Sequence, residues 1–330
     1  MRKFNDFDFL WHEKLADGLW RVVEDWGGPQ KICIYVVEGS EKTIVVDSGC
    51  GATHGLRKYI EENITGKRYL PCYMTHTHPD HVGGCTLFDE QYVHPEELPQ
   101  LTWGLNDKRR IHDAATFAFT GMPGSRCHAD LDRAMEIWEY CKENYVPVDP
   151  KKVEWKMVRD GDVIDLGDKK LECIYLNAHG SMIYYNREQD YALCGDNLTY
   201  TLAVGDVDDE LIAKYENLAS KLTDKTVFYS GHLYYEDMVT RPQEIDMPML
   251  KQIIQVFKNI VAGVGLDADP REVKNIIPGE PTLAGYQPDP EETEAWESFR
   301  AQHPERKGKV PKQGDNYVHM VGPVIITYKK

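Results

Sequence analysis

Thr75-His76-Thr77-His78-Pro79-Asp80-His81, followed by Val82-Gly83-Gly84, puts three histidines and an aspartate within six residues of a 330-residue chain. So many imidazoles make a poor packing element, because each buried neutral ring needs a hydrogen-bond partner. A metal site is the physical alternative. Alternate residues of an extended chain point the same way, so His76 and His78 can grip one cation together. A turn at Pro79 then lets Asp80 and His81 face a second position.

Residues 69–74 read as a strand running into this cluster. Upstream, apolar runs at 18–23, 31–37 and 42–47 read as further strands, and the third ends in Asp47-Ser48-Gly49. Helical spacing at 55–62 lies between. Strand, helix, strand with the chemistry at a strand's carboxyl end is how α/β architectures build sites.

Downstream of a short strand at 91–94, residues 95–150 read as a helical insertion that packs its aromatics on the body. The aromatics are Trp103, Phe117, Phe119, Trp138, Tyr140 and Tyr145, with Lys108, Arg109, Arg110, Arg126 and Arg133 among them and a break at 121–124. The functional alternative is a lid or pocket wall beside the metal site. β-structure resumes at 152–176, with a turn at 160–162, and continues at 182–185, 191–194 and 226–229. Amphipathic helices are expected at 208–221, with Leu211, Ile212, Tyr215 and Leu218 on one face, and at 249–261. Residues 264–316 are polar and Pro-rich, with a helix expected at 290–301, and 317–328 closes the chain as one strand. The whole of 1–330 reads as a single domain.

The net charge of −16 repels phosphate backbones, which argues against a nucleic-acid role. Neither a signal peptide nor an apolar run of membrane-spanning length is visible. The eight cysteines form no CxxC pair, and several sit in apolar runs, so buried free thiols in a reducing cytoplasm are expected.

Three further residues sit just after expected strands: His179 in Asn177-Ala178-His179-Gly180, Asp196 in Cys194-Gly195-Asp196-Asn197, and His232 in Ser230-Gly231-His232-Leu233. A small residue precedes each, which lets backbone approach the site closely. Singly each signal is weak; together they complete two ion-binding positions.

In its order His76-x-His78-x-Asp80-His81, His179, Asp196, His232, with Asp47 at a strand end upstream, the chain resembles the metallo-β-lactamase superfamily over about residues 18–235 and its last strand. The resemblance implies an αββα sandwich: two mixed β-sheets face to face, helices outside, the site at one edge. It implies that His76, His78 and His179 hold one metal, that Asp80, His81 and His232 hold another, and that Asp196 bridges them, with Asp47 supporting the ligand loop. Imidazole and carboxylate donors suit Zn2+, and iron or manganese would also be accepted. Two such ions would lower the pKa of a shared water toward neutrality, with Asp80 orienting it or shuttling its proton. Tyr234, Tyr235 and Tyr200 are candidates for the substrate pocket, and Tyr184 and Tyr185 would suit an apolar acyl group if they line it.

The motif form is similar to the hydroxyacylglutathione hydrolase (glyoxalase II) branch, which cleaves thioesters. Asn197-Leu198-Thr199-Tyr200 lacks the Gly-Arg pair of that branch, and the 95–150 insertion is foreign to it. What is retained is metal-dependent hydrolysis of an ester-like bond, ester or thioester first, in a small molecule. Lactone or β-lactam hydrolysis, phosphodiester or sulfate-ester hydrolysis, and a diiron redox protein are the alternatives. A homodimer is also considered, with 95–150 or 264–316 as interface or lid.

Overall fold

The computed structural model describes residues 4–5, 7–28, 30–119, 131–199, 201–236, 239–240, 244–263, 271–272, 316–321 and 324–329. The chain opens with β1 (Leu10–Ala16), β2 (Leu19–Glu24), β3 (Gln30–Glu38) and β4 (Thr43–Val46), paired antiparallel in sequence order. Helix α1 (Gly55–Asn63) crosses over to β5 (Cys72–Tyr73), which lies parallel to β4. The short α2 (Pro79–Val82) follows, then β6 (Gln91–Val93), again parallel. A 3-10 helix at Pro95–Gln100 leads into α3 (Leu101–Gly104), α4 (Asp107–Phe119) and α5 (Leu131–Asn144), and β7 (Trp155–Met157) joins β6.

A second sheet holds β8 (Val163–Asp165), β9 (Lys170–Tyr175), β10 (Met182–Asn186) and β11 (Tyr191–Gly195). Then come β12 (Thr201–Asp206), α6 (Asp209–Lys221) and β13 (Val227–Ser230), the last parallel to β11. β14 (His232–Glu236) returns to the first sheet against β3 and carries β15 (Val239–Thr240). β16 (Glu244–Asp246) edges the second sheet, α7 (Met247–Ala262) covers it, and β17 (Arg271–Glu272), β18 (Asn316–Val321) and β19 (Val324–Lys329) follow.

Among the described residues the strands form sheets of nine, six and four. The period-2 alternation of strands explains the layering. β3 is buried on both faces: Ile32, Ile34 and Val36 pack under α1, α4 and α5, while Cys33, Tyr35 and Val37 pack against the second sheet. The second sheet alternates likewise. Cys173, Met182, Tyr184 and Leu193 point inward, and Ile174, Ile183, Tyr185 and Cys194 meet Leu211, Tyr215 and Leu218 of α6 and Leu250, Ile253 and Phe257 of α7. Helix, sheet, sheet and helix thus enclose three apolar layers, the expected αββα sandwich.

Several expectations change. The strand expected at 69–74 shrinks to Cys72–Tyr73. Residues 10–16, 201–206 and 232–236 are strands that their composition did not announce. The expected single strand at 317–328 is two, β18 and β19, paired antiparallel. With β12 parallel to β19 and β17 beside β18, they make a third small sheet. The break at 121–124 and the helix expected at 290–301 lie outside the described residues. The seven described cysteines are free and buried, and no described helix is long and apolar enough to cross a membrane.

Candidate metal centre

The site sits where parallel strands end together. β4 and β5 are parallel neighbours, and so are β11 and β13, so Asp47, the His76–His81 stretch, Asp196 and His232 all emerge at carboxyl ends. Pro79 starts α2 at the position where a missing N–H costs nothing, and the single helical turn carries Asp80 and His81, whose ring lies 4.2 Å from that of His76 between centroids. His232 follows β13, as the sequence suggested, and also opens β14, opposite Ile32.

Two convergent groups result. His76, His78, His179 and Asp196 present donor atoms within 4.8 Å of one another, as do Asp80, His81 and His232. Asp196 faces both groups. Its Oδ2 is 3.5 Å from His179 Nε2, and its Oδ1 is 3.4 Å from His81 Nε2 and 3.3 Å from His232 Nε2. Asp80 Oδ2 lies 3.3 Å from His232 Nε2 and 3.5 Å from His81 Nε2. All seven expected ligand residues are therefore brought to one place.

The far ring nitrogens are fixed from behind. His81 Nδ1 is 2.9 Å from Asp47 Oδ2, His179 Nδ1 is 2.7 Å from the Ala203 carbonyl, and His232 Nδ1 is 3.0 Å from the Lys31 carbonyl. These contacts turn each Nε2 toward the centre. Asp47 itself has φ +62°, a conformation a non-glycine residue holds only when its surroundings enforce it. Its carboxylate accepts from Thr75 N at 2.7 Å and Thr75 Oγ1 at 2.8 Å, which ties β4 to the start of the histidine stretch. Close backbone approach is real at Gly231, where a Cβ would sit 2.7 Å from Asp196 Oδ1 and from a His81 ring carbon.

Electrostatics divide the site. Burial and the imidazoles of His81 and His78 hold His76 well below the usual imidazole range; burial and His179 push His78 down to about 3. Those rings are neutral and offer lone pairs. At His81 and His232 burial also opposes charge, but the Asp80 and Asp196 carboxylates outweigh it and hold both rings well above that range. Burial opposes ionisation of both carboxyls, yet the same two imidazoles keep them lowered. The chain thus concentrates two carboxylates among five imidazoles. His76 Nε2, His81 Nε2 and Asp196 Oδ1 are buried without a hydrogen-bond partner. Orphaned donor atoms aimed at one point are what a divalent cation would satisfy, so the residues fit the metals the sequence implies.

The surroundings correct part of the pocket expectation. Tyr184 and Tyr185 are fully buried core residues; their hydroxyls donate to the Met74 carbonyl and to Asp190. Alternation explains this, since both lie on a strand covered on two faces. Tyr200 and the side chains of Tyr234 and Tyr235 lie outside the described residues. From the helical segment, Trp103 meets His78 edge-on at 5.2 Å between ring centroids, and Phe117 lies 5.8 Å from His232. Arg109 stacks over Trp103 and pairs with Asp113. Arg110 is buried and spent on structure, donating to the carbonyls of Gly83 at 2.8 Å and Val146 at 2.7 Å. Glu97 and Glu24, both buried next to the ligand loops, were not legible: neither belongs to a spaced motif.

A family model described as the metallo-beta-lactamase superfamily matches residues 27–232. The protein named acyl-coenzyme A thioesterase MBLAC2 from Gallus gallus is 28% identical over 201 residues, 56% of this chain and 64% of its own length. Its Homo sapiens counterpart is 27% identical over 200 residues, 56% of this chain and 65% of its own. The match therefore spans just under two thirds of these relatives. Among solved structures, a metallo-beta-lactamase family protein from Thermus thermophilus covers 96% of this chain and 100% of its own, with TM-score 0.48 and 16% identity. A metallo-beta-lactamase from Pontibacter korlensis covers 76% and 99%, with TM-score 0.47 and 14% identity.

Proposed function

The chain belongs to the metallo-beta-lactamase superfamily, and from that membership we propose that it is a metal-dependent hydrolase of an ester-like bond in a small molecule, a thioester first. The observation that carries this reading is the pair of convergent ligand groups sharing Asp196, with buried donor atoms left unpartnered. His76, His78 and His179 would hold one cation, Asp80, His81 and His232 a second, and Asp196 would bridge. Imidazole and carboxylate donors favour Zn2+, with iron or manganese as the other candidates. When bound, such a pair supplies activated water and polarisation of the scissile carbonyl.

The chain's own residues do the rest. Asp80, with Oδ2 3.3 Å from His232 Nε2, orients the attacking water or shuttles its proton. Asp47 fixes the His81 ring through Nδ1. Trp103 and Phe117 lie beside His78 and His232, which supports reading this part of the helical segment as an apolar wall for an acyl group. A thiol leaving group of pKa about 8.5 departs as thiolate without a proton donor, so a thioester demands least of the site. The names of the 27–28% identical relatives support that choice of bond.

The test is metal quantification followed by a panel of acyl-coenzyme A thioesters, chromogenic esters, lactones and nitrocefin on the same sample. Two zinc equivalents with chelator-sensitive thioester or ester turnover are expected. Turnover of nitrocefin alone, or two irons with oxygen consumption, would overturn the proposal.

A further inference from the structure

Glu97 lies at the start of the helical segment, in the 3-10 helix Pro95–Gln100, and is 5% exposed. Its Oε2 accepts from Thr77 N at 3.1 Å and from Thr77 Oγ1 at 2.8 Å. Its Oε1 accepts from Ser181 Oγ. Thr77 stands between His76 and His78, and Ser181 stands two residues after His179. One buried carboxylate therefore joins the two loops, one from each sheet, that carry the three imidazoles of the first ligand group. The seat is tight: a Cβ on Gly104, further along the same segment, would lie 1.9 Å from the Thr77 carbonyl oxygen.

We propose that Glu97 is a positioning residue for the His76, His78 and His179 group, holding the two ligand loops at the separation a cation needs. The three rings come from loops of two different sheets, and His78 Nδ1 stands 3.3 Å from His179 Nε2. That contact joins His78 and His179 directly, but the loops beneath the rings still need a fixed separation for all three to meet one cation. Glu97 fixes it with three hydrogen bonds, two from Thr77 and one from Ser181. Thr77 brings two donors to one oxygen, and Ser181 brings to the other position a hydroxyl that can donate or accept. Glutamine keeps the bridge: its oxygen can serve Thr77 while its amide donates to Ser181 Oγ. Alanine and aspartate cannot, the first lacking acceptors and the second lacking reach.

This inference rests on the two-cation reading above, and the experiment separates the two. Metal-free parent, Glu97→Ala, Glu97→Gln and Ser181→Ala are titrated with cobalt(II) against a competing chelator, with the visible absorption recorded at each equivalent. Thermal unfolding of each metal-free chain is measured alongside. The parent is expected to bind two equivalents. In Glu97→Ala one equivalent weakens by about 10- to 100-fold, the range for outer partners of metal ligands, with a changed spectrum for that equivalent only. Glu97→Gln stays within about threefold of the parent, because the bridge survives. Should Glu97→Ala not fold, Ser181→Ala decides, with a weakening of about three- to tenfold expected for the same equivalent. A parent that binds no metal overturns both readings. A parent that binds two equivalents, with Glu97→Ala or Ser181→Ala indistinguishable from it, overturns the positioning role alone. So does equal weakening of both equivalents in proportion to lost thermal stability.

Discussion

Glu24 shows how a single buried group tunes this molecule. It is 2% exposed at the end of β2, and its Oε2 accepts from Cys50 N at 2.9 Å. Burial, only partly offset by that hydrogen bond, pushes its carboxyl up to about 7. A folded-state value above the unfolded one means the folded chain binds the extra proton. The burial penalty is then absent below about pH 4.5, grows as pH rises toward about 7, and is constant above. At about 1.4 kcal/mol per pH unit it reaches about 3 kcal/mol. Glu24→Gln keeps an acceptor for Cys50 N and cannot ionise. Urea unfolding of the metal-free chains should show this variant gaining about 3 kcal/mol on the parent between pH 4.5 and pH 8. A difference that does not change with pH would contradict the assignment. At the same scale, the seven ligand candidates were legible because HxHxDH is dense and because each later residue follows a small one. Glu24 and Glu97 were not, since nothing local distinguishes them from solvated glutamates.

At the scale of elements, the helical segment is pinned by Arg110 rather than by its aromatics alone. The guanidinium on α4 bonds the carbonyl of Gly83, just past α2, and that of Val146, just past α5. Removing it leaves both buried carbonyls unsatisfied, at about 1–3 kcal/mol each. Arg110→Ala should therefore lose about 3 kcal/mol in denaturant unfolding, and a loss below about 1 kcal/mol would show that the segment is held otherwise. Lysine should not rescue it, because one ammonium cannot reach two carbonyls in the fixed geometry of a guanidinium. Element boundaries were read well where apolar runs were long, as in β3, α6 and α7. They were misread where pairing decides. β14 is a strand because β3 offers it a free edge, and β5 is short because only Cys72 and Tyr73 find ladder partners on both sides.

For the whole molecule, the ligand set links stability to metal. Its residues come from both sheets, and unfolding disperses them, so a cation that binds only the folded chain stabilises it. At about a thousandfold excess over the dissociation constant the gain is about 4 kcal/mol per site. Chelation should lower the thermal midpoint and zinc should restore it in a concentration-dependent way. An unmoved midpoint in both directions would count against a metal centre built across the sheets. What the sequence determined by itself was the kind of chemistry and the layered architecture. Ligand types and strand periodicity are local properties, written in spacing. Only the tertiary structure decided which carbonyls and carboxylates aim each imidazole, which aromatics face the site and which are core, and that Glu97 bridges the sheets. Those are relations between residues far apart in the chain, as His81 is from Asp47 and His232 from Lys31, and packing, not spacing, fixes them.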